Sequence, residues 1–166
     1  MTLYLVVPLL LLVAVVQTSA MPHLRIWGVF PDLPLLVVVS WGLLRGAKEG
    51  LVWGLIAGLC VDLLSGAPAG AATASLVAVG FLAGLTQRGA FRAQVLLPVA
   101  AVFVATMLYD LIFLLAMLIS GRPVQWLATM GRIILPSAAL NLLLTPIVYW
   151  LLRSLHRRLG REEMEW

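Results

Sequence analysis

Six apolar stretches fill most of this chain, and its basic residues are concentrated at the joints between them. The stretches do not alternate between apolar and polar residues, since Leu3 to Val16 and Leu111 to Ile119 hold no charged residue. In hydrocarbon every backbone amide must be paired, and an apolar segment does this as a helix. Against the roughly 20 residues that a bilayer core requires, the pattern predicts six transmembrane helices at residues 3–20, 31–44, 49–65, 70–87, 94–120 and 131–153.

Two of these predicted spans are unusual. The second is short and begins with Pro31 and Pro34, which the first turn of a helix tolerates. We expect it either to extend deeper through the preceding loop or to tilt in a thinned bilayer. The first span ends in Thr18-Ser19-Ala20, which also fits a signal-peptide cleavage site. Because no basic segment precedes it, an uncleaved first helix is favoured.

The composition excludes an ordinary soluble domain. Hydrophobic residues make up 63% of the chain and charged residues 11%, against about 25% charged residues in soluble proteins. The longest joints, Met21 to Phe30 and Gly121 to Met130, are too short to bury a core. The predicted fold is therefore an all-α polytopic membrane protein, with one six-helix domain at 1–153 and a short basic-then-acidic tail at 154–166.

The distribution of basic residues predicts the orientation. With six spans both termini lie on one side, and eight of the eleven basic residues fall on that side. By the positive-inside rule this side is the cytoplasm, so both termini are predicted to be cytoplasmic. The eight residues are Arg45, Lys48, Arg88, Arg92, Arg153, Arg157, Arg158 and Arg161.

A polar layer is predicted near the opposite, outer side. It combines three aspartates with the three remaining arginines: Asp32, Asp62, Asp110, Arg25, Arg122 and Arg132. A carboxylate within a span is costly and tends to face a partner or a cavity, so we expect one or two arginines to pair with Asp62 or Asp110. Two of the aspartates have an alternative explanation that needs no ion pair. Asp32 is favoured in the first turn of a helix by the helix dipole alone, and Asp62 can be an interfacial residue that reaches water.

Glycines recur at helical spacing in two neighbouring spans. Gly50, Gly54 and Gly58 share one face of the third span, and Gly80 and Gly84 share a face of the fourth. Such faces let helix backbones approach closely. Packing within the chain is the favoured interpretation, and docking of another protein is the alternative.

Few other polar residues lie inside the spans. Asn141, near the middle of the last span, is predicted to form a hydrogen bond to another helix. No catalytic residue, cofactor site or metal site is predicted. His23 and His156 lie on opposite sides of the membrane, and Cys60 is the single cysteine.

The run from Glu49 to Gly70 resembles the central signature of the bacterial rod shape-determining protein MreD family, and Pro31-Asp32-Leu33 is similar to an earlier turn of that family. The resemblance covers nearly the whole chain and implies structural or docking roles rather than catalytic ones. The family positions are Asp32, Gly54, Gly58, Asp62, Gly66 and Gly70.

The resemblance implies a non-enzymatic scaffold in the inner membrane, part of the elongasome that directs lateral peptidoglycan synthesis. Its expected partners are an MreC-like single-span protein with a periplasmic domain, MreB, a SEDS glycosyltransferase, a class B penicillin-binding protein and the lipid bilayer, with no nucleic acid. The family is also expected to resemble the substrate-binding components of energy-coupling-factor vitamin transporters. Such a transporter component is the alternative function, with a pocket lined by Asp62, Asp110, Trp27 and Arg122.

Overall fold

The described part of the chain folds into six α-helices. The structure is a computed structural model and describes residues 2–19, 31–66, 68–86, 96–121 and 134–162. No strand occurs within these ranges, so the all-helical class is confirmed. The helices are α1 (Thr2–Ser19), α2 (Leu33–Arg45), α3 (Ala47–Ser65), α4 (Ala71–Leu85), α5 (Leu96–Ile119) and α6 (Leu135–Glu162).

The helices differ in length. Within the described ranges, Pro98–Ile119 of α5 and Leu135–Leu155 of α6 are long and apolar enough to cross a membrane. By contrast, α2 has 13 residues, which at about 1.5 Å per residue spans only about 20 Å. The last helix continues to Glu162, beyond the predicted span end at Arg153, because no proline or glycine lies between Arg153 and Gly160.

The short helix α2 lies at the centre of the bundle. It contacts each of the other five helices, and every residue from Pro34 to Leu43 is buried. Its apolar residues therefore pack on all sides against protein, as in the core of a large bundle. The neighbouring helices therefore shield α2 along most of its length.

Glycines bring α3 and α4 into backbone contact. A Cβ atom at Gly54 would overlap the carbonyl of Leu76, and a Cβ at Gly50 would overlap the carbonyl of Gly80. Gly42 of α2, which the sequence analysis did not single out, meets the same region, since its Cβ would lie 2.8 Å from the Gly80 oxygen. The further close approaches in this interface are Gly58 to Thr73 and Gly84 to Ala47.

The predicted glycine faces therefore cover each other within one chain. Helices without a hydrophobic drive from water gain packing energy from this kind of close approach. The alternative in which these faces dock another protein is not favoured, because α4 already occupies the glycine face of α3.

Replacing Gly54 by alanine tests this packing. The added methyl group meets backbone atoms rather than a flexible side chain, so we expect Gly54→Ala to lower the free energy of unfolding by about 1–3 kcal/mol. Thermal unfolding of the detergent-solubilised protein, followed by the loss of monodisperse material, measures this. Leu55→Ala changes an exposed neighbour on the same helix and is the control. Equal unfolding temperatures for both variants would reject the close α3–α4 contact.

Candidate functional site: the polar junction at the start of α2

Polar side chains from three helices meet at the N-terminus of α2. We call this group the polar junction, and it consists of Gln17 of α1, Asp32 before α2, Thr106 and Tyr109 of α5, and Asn141 of α6. Four of these side chains, all except Asp32, are buried. The start of α2 thus lies beside the second turn of α6.

The polar junction satisfies backbone groups that a helix start leaves unpaired. The Asp32 N–H donates to Asn141 Oδ1 at 2.8 Å, and the Leu33 N–H donates to Gln17 Oε1 at 3.1 Å. The Leu35 N–H donates to Asp32 Oδ1 at 3.1 Å. These bonds remove the penalty of burying unpaired amides away from water.

Pro34 and a backbone hydrogen bond complete the pairing of the N–H groups in the first turn of α2. Pro34 has no N–H to satisfy, which suits the first turn of a helix. The Leu36 N–H donates to the Asp32 carbonyl at 3.0 Å. Asp32 is therefore the N-cap of α2, as expected for a residue that a helix dipole favours at this position.

Asn141 connects three helices. Its side chain is 0% exposed. While Oδ1 accepts from the start of α2, Nδ2 donates to Thr106 Oγ1 of α5 at 3.2 Å. The Thr106 hydroxyl in turn donates to the Val102 carbonyl at 2.8 Å. The predicted hydrogen bond from Asn141 to another helix is confirmed.

The three aspartates of the predicted polar layer lie within electrostatic range of Tyr109: Asp32, Asp62 and Asp110. Asp32 lies close enough to interact with the Tyr109 hydroxyl. Asp110 Oδ2 is buried and has no hydrogen-bond partner among the described residues. The arginines expected to pair with these carboxylates lie outside the described residues, so the ion pairs stay a prediction: Arg25, Arg122 and Arg132.

Asp62 has a defined structural role at the turn between α3 and α4. Its carboxylate accepts from the N–H groups of Gly70, Ala72 and Thr73 at 3.1, 2.9 and 3.0 Å. The Thr73 hydroxyl donates to the same carboxylate at 2.6 Å. Asp62 thus holds the start of α4 against the last turns of α3, and its negative charge faces the positive end of the α4 dipole.

The turn that Asp62 closes requires glycine. Gly66 and Gly70 have φ angles of 63° and 90°, in the left-handed region where residues with a Cβ are strained. Gly66 ends α3 and Gly70 directly precedes α4. Glycine at these two positions therefore allows the left-handed backbone conformations that the turn between α3 and α4 requires.

A second cluster at the opposite end of α2 was not found from the sequence. The rings of Trp41 and Trp53 stack with centroids 4.3 Å apart, and Trp41 Nε1 donates to Glu49 Oε2 at 2.9 Å. Arg45 lies over the Trp41 ring at 5.6 Å and pairs with Glu49 at 3.9 Å. The available signal was Glu49 itself, a single acidic residue in a basic joint. The cluster joins α2 to α3, as the polar junction joins α2 to α5 and α6.

The polar side chains described above take part in packing and hydrogen bonding within the chain. Within the described residues no group of three or more His, Cys, Asp or Glu side chains is placed to hold a metal ion. Among the described helices, a groove of about 430 Å³ lies between α5 and α6, and another of about 280 Å³ lies between α4 and α5. Both are lined mainly by apolar residues, together with Thr145, Tyr149 and Arg153 in the first groove and Thr86 in the second.

Comparison with known proteins identifies a family for this architecture. The family model described as rod shape-determining protein MreD matches residues 1–155. Searches of the curated proteins and of the solved structures gave no match. The likeness to the substrate-binding component of energy-coupling-factor transporters thus stays a prediction.

Removing the Asn141 amide tests the polar junction. Asn141→Leu keeps a similar volume but leaves the Asp32 N–H without its acceptor. We expect the free energy of unfolding to fall by about 1–3 kcal/mol, measured by thermal unfolding in detergent. Leu143→Ala, at an exposed position of the same helix, is the control. A variant as stable as the parent would show that the amide does not hold the α2 start.

Changing Asp62 tests the α3–α4 turn. Asp62→Leu removes the acceptor for all four bonds, so hydrogen exchange at the Ala72 and Thr73 amides should become faster, with a stability loss of about 1–3 kcal/mol. Thr73→Val removes only the hydroxyl bond and should cost about 0.5–1.5 kcal/mol. Unchanged exchange in the Asp62 variant would rule out this cap.

Proposed function

The chain belongs to the rod shape-determining protein MreD family, and on that premise we propose that it is a non-enzymatic inner-membrane scaffold of the cell-wall elongation machinery. In this role it binds an MreC-like partner and helps to maintain cell shape through lateral peptidoglycan synthesis. The family match over residues 1–155 is the observation that carries the proposal. Rod shape determination is the role of the family, and the finer assignment to the elongasome is proposed from it.

We also propose that all six helices contribute to a multi-pass domain with both termini in the cytoplasm. Two described helices, α5 and α6, have the length and hydropathy of spans. The shorter α2 is shielded on all sides by its neighbours. The gathering of eight of eleven basic residues on one side supports the orientation.

The internal hydrogen bonding supports a scaffold rather than a transporter of polar molecules. The described polar side chains at the start of α2 and at the α3–α4 turn bond within the chain, and the grooves are lined mainly by apolar residues. A site for a polar vitamin needs several polar groups that converge on a pocket. A scaffold needs rigid helices with apolar outer faces.

The outer faces are where a partner span makes contact in this proposal. Since α4 covers the glycine face of α3, the partner meets exposed apolar residues instead. On α3 these form a stripe at a spacing of four residues: Leu51, Leu55, Leu59 and Leu63.

Co-purification tests the proposed function. We expect an MreC-like protein or a penicillin-binding protein to be recovered with the tagged protein from gently solubilised native membranes, identified by mass spectrometry against an untagged control. Recovery of a pair of ATPases with a coupling subunit, and of no cell-wall protein, would overturn the scaffold and indicate vitamin uptake.

A further inference from the structure

We propose that the groove between the start of α5 and the end of α6 binds an anionic phospholipid, with an acyl chain along its apolar wall and the headgroup phosphate on Arg153. We call it the α5–α6 groove. Pro98 and Val99 line it from α5, and Ile147, Trp150 and Arg153 line it from α6. Its volume of about 430 Å³ lies within the range of roughly 300–1,000 Å³ that ligand sites occupy. The site goes beyond the proposed scaffold function and does not depend on it.

The groove has an apolar wall with a charged residue at one end, which matches a lipid that has an apolar chain and a negatively charged headgroup. Arg153 is the single charged residue in the lining. Thr145 and Tyr149 also line the groove. The Thr145 hydroxyl donates to the Asn141 carbonyl at 2.7 Å, and Tyr149 contributes a neutral hydroxyl without a formal charge. The apolar wall thus has one cationic end, and a guanidinium binds phosphate through two parallel hydrogen bonds.

Arg153 is available for an external anion. Among the described residues the salt bridge found is that of Arg45 with Glu49, and none joins Arg153 to a carboxylate. Arg153 is exposed, and it lies one turn from Trp150, which is 69% exposed. Tryptophan prefers the level of the lipid headgroups, so the two residues mark the level at which a phosphate lies.

A phospholipid fits this groove better than a helix of another protein. A partner helix would have to carry an acidic residue to the membrane edge to compensate Arg153, whereas an anionic lipid carries its phosphate at that level. Basic residues also gather on this side of the chain, and basic clusters at a membrane surface attract anionic lipids.

The second groove supplies an internal contrast. Its lining between α4 and α5 includes Val79, Ala83 and Ala101 and contains no charged residue. It can accommodate an apolar chain but provides nothing to select a headgroup. Selectivity for an anionic lipid is therefore expected of the α5–α6 groove.

Native mass spectrometry of the purified full-length protein tests the headgroup site. With added phosphatidylglycerol or phosphatidylcholine at equal concentrations, we expect phosphatidylglycerol to be retained preferentially. Arg153→Gln should weaken that retention by roughly five- to ten-fold, the loss of one charge-assisted contact, and should lower retention of phosphatidylcholine less, because the choline group already compensates the charge of its phosphate. Lys48→Gln removes an exposed basic residue outside the groove and should behave as the parent does.

A second pair of variants tests the apolar wall. Ile147→Trp narrows the groove from an exposed position and should reduce retention of phosphatidylglycerol, whereas Leu143→Trp adds the same bulk to an exposed position outside the lining. Folding is checked by gel filtration and circular dichroism, and both variants are expected to remain folded because both positions are exposed.

Three results would overturn the proposal. The first is equal retention of the two lipids by the parent protein. The second is retention by Arg153→Gln that equals retention by Lys48→Gln. The third comes from a photoreactive amino acid at position 150 in native membranes, if it crosslinks to a protein and not to lipid, which would identify a partner helix as the occupant.

Discussion

The helix α2 starts among other helices, where its first backbone amides are partly shielded from water, and the hydrogen bonds that these amides make connect the helices to one another. Its N–H groups bond to Asn141 of α6, to Gln17 of α1 and to the capping Asp32. Because a buried amide without a partner costs about 1–3 kcal/mol, these acceptors have to be in place when the bundle forms. The same side chains therefore fix how α1, α5 and α6 are arranged around α2.

A different constraint governs the α3–α4 pair: the two backbones are in direct contact, because glycines leave no side chain between the helices. Gly54 meets the Leu76 carbonyl, and Asp62 closes the turn by accepting the first N–H groups of α4. Gly66 and Gly70 supply the left-handed backbone conformations of that turn. The residues that resemble the family signature are thus explained by packing and capping. None of them is needed as a reactive group for these roles.

Both constraints favour a rigid body with an apolar exterior, which is what a membrane scaffold has to offer its partners. The internal polar groups specify one arrangement of helices. The exposed leucines carry no polar groups, so contact of these faces with a partner helix depends on shape complementarity. At one end the Trp41–Glu49 hydrogen bond and the Arg45–Glu49 pair close the joint between α2 and α3. Arg153 is exposed at the end of the α5–α6 groove, and the lipid contact proposed there complements the protein contacts proposed for the other faces.

The sequence by itself determined that the chain is helical, where the helices lie and which family it belongs to, because apolar length, glycine spacing and a signature around Asp62 are local properties. It also predicted that Asn141 bonds between helices, since a buried amide has few other options. It left open which faces meet. In α2 nearly every residue is apolar, so no amphipathic stripe distinguishes a core face from a lipid face. Only the tertiary structure decided that α2 is central, that the glycines of α3 contact α4, that Asp62 caps α4 and that Trp41 stacks on Trp53, because each of these depends on residues that the fold brings together from different helices.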